Sequence, residues 1–288
     1  MGILGDRIEA RQEGYGFQVK DGRLDSVLEI LHRSTGELSP GHAAGFGPFL
    51  EALSAGLFAS ASAVKGQIEG PITLSAYLFH QGKPFLSDPS LFAAIAFHVS
   101  QMICWQIDRL KAAGLPVLLF VDEPALCLEA PANAATEAQR LSALAATLND
   151  ARARGAFAGL HCCAARPFAR MCRAHPDILS FDAHEGLELF FADQDARRFV
   201  DRGGVVAYGL IPTSPSENPL DPASIFVRWL KAATLAGNPQ KLAQGAMVTA
   251  TCGLGLLDPM SIAGSFGVAR GVGKLIRALA GTPYAEGS

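Results

Sequence analysis

Residues 116–124 read PVLLFVDEP, an apolar run that stops at two acids and a proline. A short, nearly continuous apolar run is typical of a strand buried on both faces of a parallel sheet. Similar runs bounded by turn residues recur along the chain. They predict strands at 65–69, 116–121, 156–160, 178–182, 204–208 and 246–250, and a weaker one at 16–19.

The segments between these runs have the three- and four-residue apolar spacing of amphipathic helices. The clearest begin near Leu91, Ala135 and Asp195. Alternating strands and helices predict a parallel sheet covered by helices, either an open doubly wound sheet or a closed barrel. Polar residues follow the strands, so they would share one end of the sheet, as at the mouth of a TIM barrel. No phosphate-binding glycine fingerprint favours the open sheet.

We therefore predict one α/β domain over residues 1–288, a TIM (β/α)8 barrel. The predicted strands number one fewer than eight, so either one strand of the barrel escapes these patterns or the barrel lacks its first strand at the N-terminus. The exposed sheet edges would then need a homodimer or an N-terminal segment to close them. SPSENPLDP at 214–222 is predicted to be a long loop at the barrel mouth.

The composition excludes several classes of protein. Apolar residues make up 49% of the 288 residues and the formal net charge is -3, which predicts a globular protein without the basic field of a nucleic-acid partner. The apolar runs are shorter than the roughly 20 residues of a membrane span, and the N-terminus is acidic where a signal peptide is basic. We expect a cytoplasmic protein whose six cysteines are reduced or bind metal.

GLHCC at 159–163 is the most informative candidate site. In extended backbone His161 and Cys163 point to the same side, so both could bind one Zn²⁺. Cys252, after the last predicted strand, is the natural third ligand, and a fourth position would be held by Asp182, His184, Glu185 or water. The alternative is that these are ordinary core residues, which suits Cys104 and Cys172 in their helices.

Asp122 and Glu123 end the most apolar strand. A carboxylate there could bind a substrate ammonium group or act as a general base. The alternative is an acid placed at a helix N-terminus, which suits Glu123 better than Asp122.

Five motifs in order resemble the C-terminal catalytic barrel of cobalamin-independent methionine synthase and its corrinoid-linked relatives, in the uroporphyrinogen decarboxylase/methionine synthase superfamily. The resemblance runs from about residue 60 to residue 265. The motifs are VKGQIEGPITLSAYLF (64–79), FVDEPAL (120–126), GLHCC (159–163), LSFDA (179–183) and TCGLG (251–255).

The resemblance implies that His161, Cys163 and Cys252 are zinc ligands and that Asp182 is an acidic ligand. It also implies that Asp122 contacts the amino group of homocysteine. Such a zinc ion holds a substrate thiol as thiolate for attack on a methyl group.

The chain departs from the synthase in two ways. The large N-terminal half that helps to bind folate is absent, so we expect methylcobalamin on a separate corrinoid protein as the methyl donor. YGLIPTS at 208–214 stands where the synthase carries a catalytic histidine, so proton handling must differ.

These observations predict a zinc-dependent methyltransferase acting on homocysteine or a related thiol such as coenzyme M, and hence a place in methionine biosynthesis. One alternative is a lyase similar to uroporphyrinogen decarboxylase, although the strand ends offer thiols and acids where arginines would be needed. Another is a non-catalytic barrel that binds a corrinoid or another ligand.

Overall fold

The computed structural model describes residues 2–128, 133–163, 167–213 and 220–281. The strands are β1 (Ile8–Ala10), β2 (Phe17–Val19), β3 (Val64–Glu69), β4 (Leu78–His80), β5 (Lys83–Pro84), β6 (Val117–Asp122), β7 (Phe157–Cys162), β8 (Ile178–Asp182), β9 (Val205–Ile211) and β10 (Ala246–Ala250). The α-helices are α1 (Leu24–His32), α2 (Phe46–Ser54), α3 (Pro71–Tyr77), α4 (Pro89–Leu110), α5 (Ala134–Ala153), α6 (Phe168–Arg173), α7 (Ala183–Ala192), α8 (Gln194–Asp201), α9 (Pro222–Ala236), α10 (Pro239–Gln244) and α11 (Pro259–Ala280).

The fold is α/β, as predicted, with six strands in one parallel sheet. The strand order is β10-β9-β8-β7-β6-β3, so each strand of this sheet takes the next place in chain order. A doubly wound sheet would reverse its order at a switch point, and this one does not. All six strands predicted from clear apolar runs are present in this sheet. Closure into an eight-stranded barrel stays a prediction.

The weak strand predicted at 16–19 exists as β2, but counting it toward the barrel was wrong. β2 pairs antiparallel with β1 and parallel with β4 in a separate four-stranded sheet. It is three residues long, and only Val19 is buried. A hairpin joins it to β1, closed by a hydrogen bond from Arg11 N to Gly16 O at 3.1 Å. Such a short strand is satisfied by local pairing and has no continuous apolar surface to bury in a barrel wall.

The chain divides into two compact units, Met1–Gly159 and Leu160–Ser288, and the boundary falls inside β7. The single-domain prediction stays a prediction, and each unit is described by itself. The predicted loop at 214–222 lies mostly at 214–219, outside the described residues.

The first unit is built around α4, which packs on α1, α3, α5 and β3. Together, α4 and the turn that follows it span Pro89–Ala113. Among the described residues this is the one helix that is long and apolar enough to span a membrane, judged by length and composition alone. Half of its most apolar window is buried. Ile95, Val99 and Ile103 are each at most 1% exposed, which is the pattern of a core helix.

The second unit has an aromatic core on the face of its strands that packs against helices. Phe181 of β8 stacks on Phe190 of α7 with ring centroids 4.7 Å apart, and Phe168 meets Phe181 edge-on at 5.1 Å. Tyr208 of β9 and Trp229 of α9 extend the cluster and are fully buried. Such ring pairs add to the free energy of area burial. This cluster anchors β8 and β9, whose carboxyl ends carry candidate site residues.

We expect Phe181→Ala to lower the free energy of unfolding of the protein by about 3–5 kcal/mol, because it removes a ring from the centre of this cluster and leaves a cavity. Phe266→Ala is the control, since Phe266 of α11 is 60% exposed and should change stability by less than about 0.5 kcal/mol. Urea denaturation followed by circular dichroism measures both. Equal effects of the two substitutions would contradict the described core.

Candidate functional site

The second unit carries all four residues predicted to bind metal. His161 lies near the end of β7 and is half-buried, Cys162 beside it is fully buried, and Cys163 follows the strand and is exposed. The alternation of β7 therefore turns Cys162 into the core and His161 away from it.

A serine on the neighbouring strand contacts the candidate histidine. Nδ1 of His161 lies 2.9 Å from Oγ of Ser180 in β8, and Ser180 is only 5% exposed. Sequence reasoning missed Ser180. Ser180 lies two residues before Asp182, so the alternation of side chains along β8 predicts that both lie on the same face of the strand.

Asp182 ends β8 and caps α7. Its Oδ1 accepts hydrogen bonds from the backbone N–H groups of His184 and Glu185, at 2.9 and 3.1 Å. This is the usual bond of an aspartate at a helix N-cap. The other carboxylate oxygen, Oδ2, takes part in neither bond. Asp182 thus has a structural role whatever else it does.

Cys252 lies two residues beyond β10 and is exposed. With His161, Cys163 and Asp182 it makes a set of one imidazole, two thiols and one carboxylate, which are the donors that zinc takes in proteins. However, no three His, Cys, Asp or Glu side chains in the described ranges lie close enough together to hold a metal ion. The donor chemistry fits zinc, and the assembly of the ligands stays a prediction.

The first unit carries a second polar cluster, at the ends of β3 and β6. Glu69 and Asp122 are direct partners in the parallel register of the two strands. Oδ2 of Asp122 accepts a hydrogen bond from the amide of Gln67, which in turn bonds Lys65. Oδ1 of Asp122 is buried and accepts no hydrogen bond from any described residue. Parallel pairing thus joins three polar side chains of β3 to the acid at the end of β6.

Burial governs the ionisation of these two acids. It raises the pKa of Asp122 to about 6, although the hydrogen bond from Gln67 and the charge of Lys65 oppose the shift. Burial, and then the charge of Asp122, raise the pKa of Glu69 to about 7. A negative charge on Asp122 disfavours ionisation of the carboxyl group beside it. Sequence reasoning missed Glu69, Gln67 and Lys65, although the alternation of VKGQIE placed them on one face.

Glu123 has a different role from its neighbour Asp122. Its carboxylate is fully buried and accepts hydrogen bonds from Ile72 N at 2.9 Å, Thr73 N at 2.8 Å and Thr73 Oγ1 at 2.6 Å. It therefore caps α3, and not the short 3-10 turn that follows it in the chain. The substrate contact predicted for Glu123 has no support in this geometry, because the carboxylate has no exposed surface.

The turn before α3 is shaped around this carboxylate. A Cβ atom at Gly70 would lie 2.2 Å from Oε1 of Glu123, closer than any non-bonded contact allows. Burial raises the pKa of Glu123 to about 8, although the hydrogen bonds from Thr73 and Ile72 oppose the shift. The Gly-Pro turn and Glu123 therefore form one structural unit that joins α3 to the end of β6.

Neither a scan against models of known protein families nor a search of curated proteins finds a match to this chain. The resemblance carried by the five motifs therefore stays a prediction. The roles of the candidate residues rest on their own chemistry and position.

We expect Glu123→Ala to lower the free energy of unfolding by about 2–4 kcal/mol, because it leaves the buried N–H groups at the start of α3 without acceptors. Glu51→Ala is the control, since Glu51 lies on an exposed face of α2 and should change stability by less than about 0.5 kcal/mol. Chemical denaturation at pH 7 measures the difference. A neutral Glu123→Ala would show that the cap is dispensable.

The stability of the protein should depend on pH through Glu69. Its pKa is raised by folding to about 7, so its favourable contribution is complete below the unfolded pKa and is lost as the pH rises through 7. Glu69→Gln should therefore be more stable than the wild type at pH 8, by about 1 kcal/mol after solvent screening. The gain should vanish at pH 4. Denaturation curves at both pH values test this, and a gain that does not vary with pH would contradict it.

Proposed function

We propose that this chain is a zinc-dependent methyltransferase of the TIM (β/α)8 type that methylates a thiol. One observation carries the proposal. The four candidate zinc ligands lie at or just beyond the carboxyl ends of β7, β8 and β10, strands of one parallel sheet. Catalytic groups of barrel enzymes lie at this end of the strands. The unreversed strand order supports the barrel architecture.

The ligands proposed for zinc are His161, Cys163 and Cys252, with Asp182 as the fourth. Zinc, when bound, keeps a substrate thiol ionised at neutral pH, where a free thiol with a pKa near 8.5 is mostly protonated. In the proposed reaction a carbon–sulfur bond forms and the cobalt–carbon bond of methylcobalamin breaks. The corrinoid leaves as cob(I)alamin with the bonding electron pair, and the thiol proton passes to solvent.

The proposed role of Asp122 is to bind the ammonium group of a thiol amino acid such as homocysteine. Its buried Oδ1, which accepts no hydrogen bond from the described residues, supports this role. A carboxylate must be ionised to hold an ammonium group, and the pKa of Asp122 is about 6. The Michaelis constant for homocysteine should therefore rise as the pH falls below 6.

Within this proposal the protein forms methionine in the cytoplasm and receives methyl groups from a corrinoid protein. The proposed reaction involves neither nucleic acid nor a membrane. A homodimer would cover the exposed edges of the sheet.

Metal analysis and turnover test the proposal together. We expect about one zinc per chain, lost in Cys252→Ala and kept in Cys127→Ala, the control at a second exposed cysteine. With methylcobalamin and homocysteine, the wild type should produce cob(I)alamin, seen by its absorbance, and methionine, seen by mass spectrometry. Cys252→Ala removes a ligand itself, so its rate should fall by at least the roughly 10–100-fold that loss of an outer-shell partner typically causes.

Two outcomes would contradict the proposal in different ways. A folded, metal-free wild type that stays metal-free after incubation with zinc would rule out the metal site. A zinc-loaded protein without turnover on homocysteine or coenzyme M would favour the non-catalytic binding protein.

A further inference from the structure

We propose that Ser180 is the positioning residue of the metal site: its hydroxyl holds the imidazole of His161 through Nδ1, so that Nε2 is the nitrogen that binds the metal. This inference deepens the proposed function and rests on it. It concerns which atom of His161 is the ligand, a choice that neither the sequence motif nor the donor chemistry makes.

The geometry supports a direct contact. Oγ of Ser180 and Nδ1 of His161 are 2.9 Å apart, within the range of a good hydrogen bond. The two residues belong to neighbouring strands, β7 and β8, and meet on one face of the sheet. Ser180 is 5% exposed, so water has little access with which to replace it.

The backbone of β8 holds the serine hydroxyl in place. On either side of Ser180 in the strand, Leu179 and Phe181 are fully buried on the opposite face, and Phe181 stacks on Phe190. Slippage of β8 by one residue would move those side chains to the opposite face of the sheet and take Phe181 out of the aromatic cluster. Ser180 therefore has a well-defined register, and by the same alternation it shares its face with Asp182.

The two ring nitrogens of a histidine do different work when one binds a metal. The bound nitrogen must be unprotonated, so the other carries the proton and needs an acceptor. With Nε2 on the metal, Nδ1–H donates to Oγ of Ser180. With Nδ1 on the metal, the contact with Ser180 would be lost. Partners of this kind typically change metal affinity by roughly 10–100-fold.

A merely structural serine would behave differently. Ser75 of α3 is the comparison, since it is buried like Ser180 and its hydroxyl has no hydrogen-bond partner among the described residues. Loss of the Ser75 hydroxyl should affect folding stability but not metal affinity. Comparing the two serines separates positioning of the ligand from general packing.

Zinc affinity tests the proposal directly, measured by competition with a chromophoric chelator and without any turnover assay. Ser180→Ala should bind zinc roughly 10–100-fold more weakly than the wild type. Ser180→Thr, which keeps the hydroxyl, should restore most of the affinity. Ser75→Ala should match the wild type.

Nitrogen-15 NMR of the zinc-loaded wild type gives a second readout that needs no variant to fold. We expect the long-range histidine couplings of His161 to show zinc on Nε2 and a proton on Nδ1. Zinc on Nδ1, or an unchanged affinity in Ser180→Ala, would overturn the role of Ser180 and leave the proposed metal site intact. A wild type that binds no zinc would overturn both.

Discussion

Parallel pairing of strands is the constraint on which the rest of this structure depends. It aligns neighbouring strands in one direction, so their carboxyl ends emerge at the same edge of the sheet. In the first unit this register sets Glu69 beside Asp122. In the second it brings the hydroxyl of Ser180 in β8 to the imidazole of His161 in β7. Residues far apart in the chain become neighbours because of strand register.

Burial then gives chemically similar groups different roles. Asp122 and Glu123 are adjacent acids, but the pleat of β6 and the turn after it send them in different directions. Glu123 is enclosed by the start of α3 and accepts three hydrogen bonds there. Within the described ranges Asp122 accepts one such hydrogen bond, from Gln67, and its buried Oδ1 accepts none. Glu123 caps a helix, and Asp122 is the acid that we propose binds the substrate.

The candidate metal set follows the same logic in the second unit. Its members lie at or just beyond the ends of strands, and two of them also make contacts within the folded core. Asp182 caps α7, and His161 is held by a serine that is itself fixed by the packing of Phe181. A zinc site built on such residues would be rigid on the side of β7 and β8, because a folded core sets the positions of both ligands before any ion arrives. The two cysteines are exposed and lie beyond their strands, so their positions depend on the connecting segments.

Local patterns in the sequence determined the secondary structure of this protein, because apolar runs and helical spacing reflect burial along a single element. All six strong strand predictions were met, and the order of the strands follows the order of the chain. The weak strand at 16–19 was assigned to the wrong sheet, since a three-residue pattern carries no information about its partner.

Tertiary structure alone decided the contacts made across elements. The hydrogen bond of Ser180 to His161, the pairing of Glu69 with Asp122 and the capping of α3 by Glu123 join residues 19, 53 and 50 to 51 positions apart in the chain. Such contacts depend on register and on the fit of one surface to another, which no local pattern encodes.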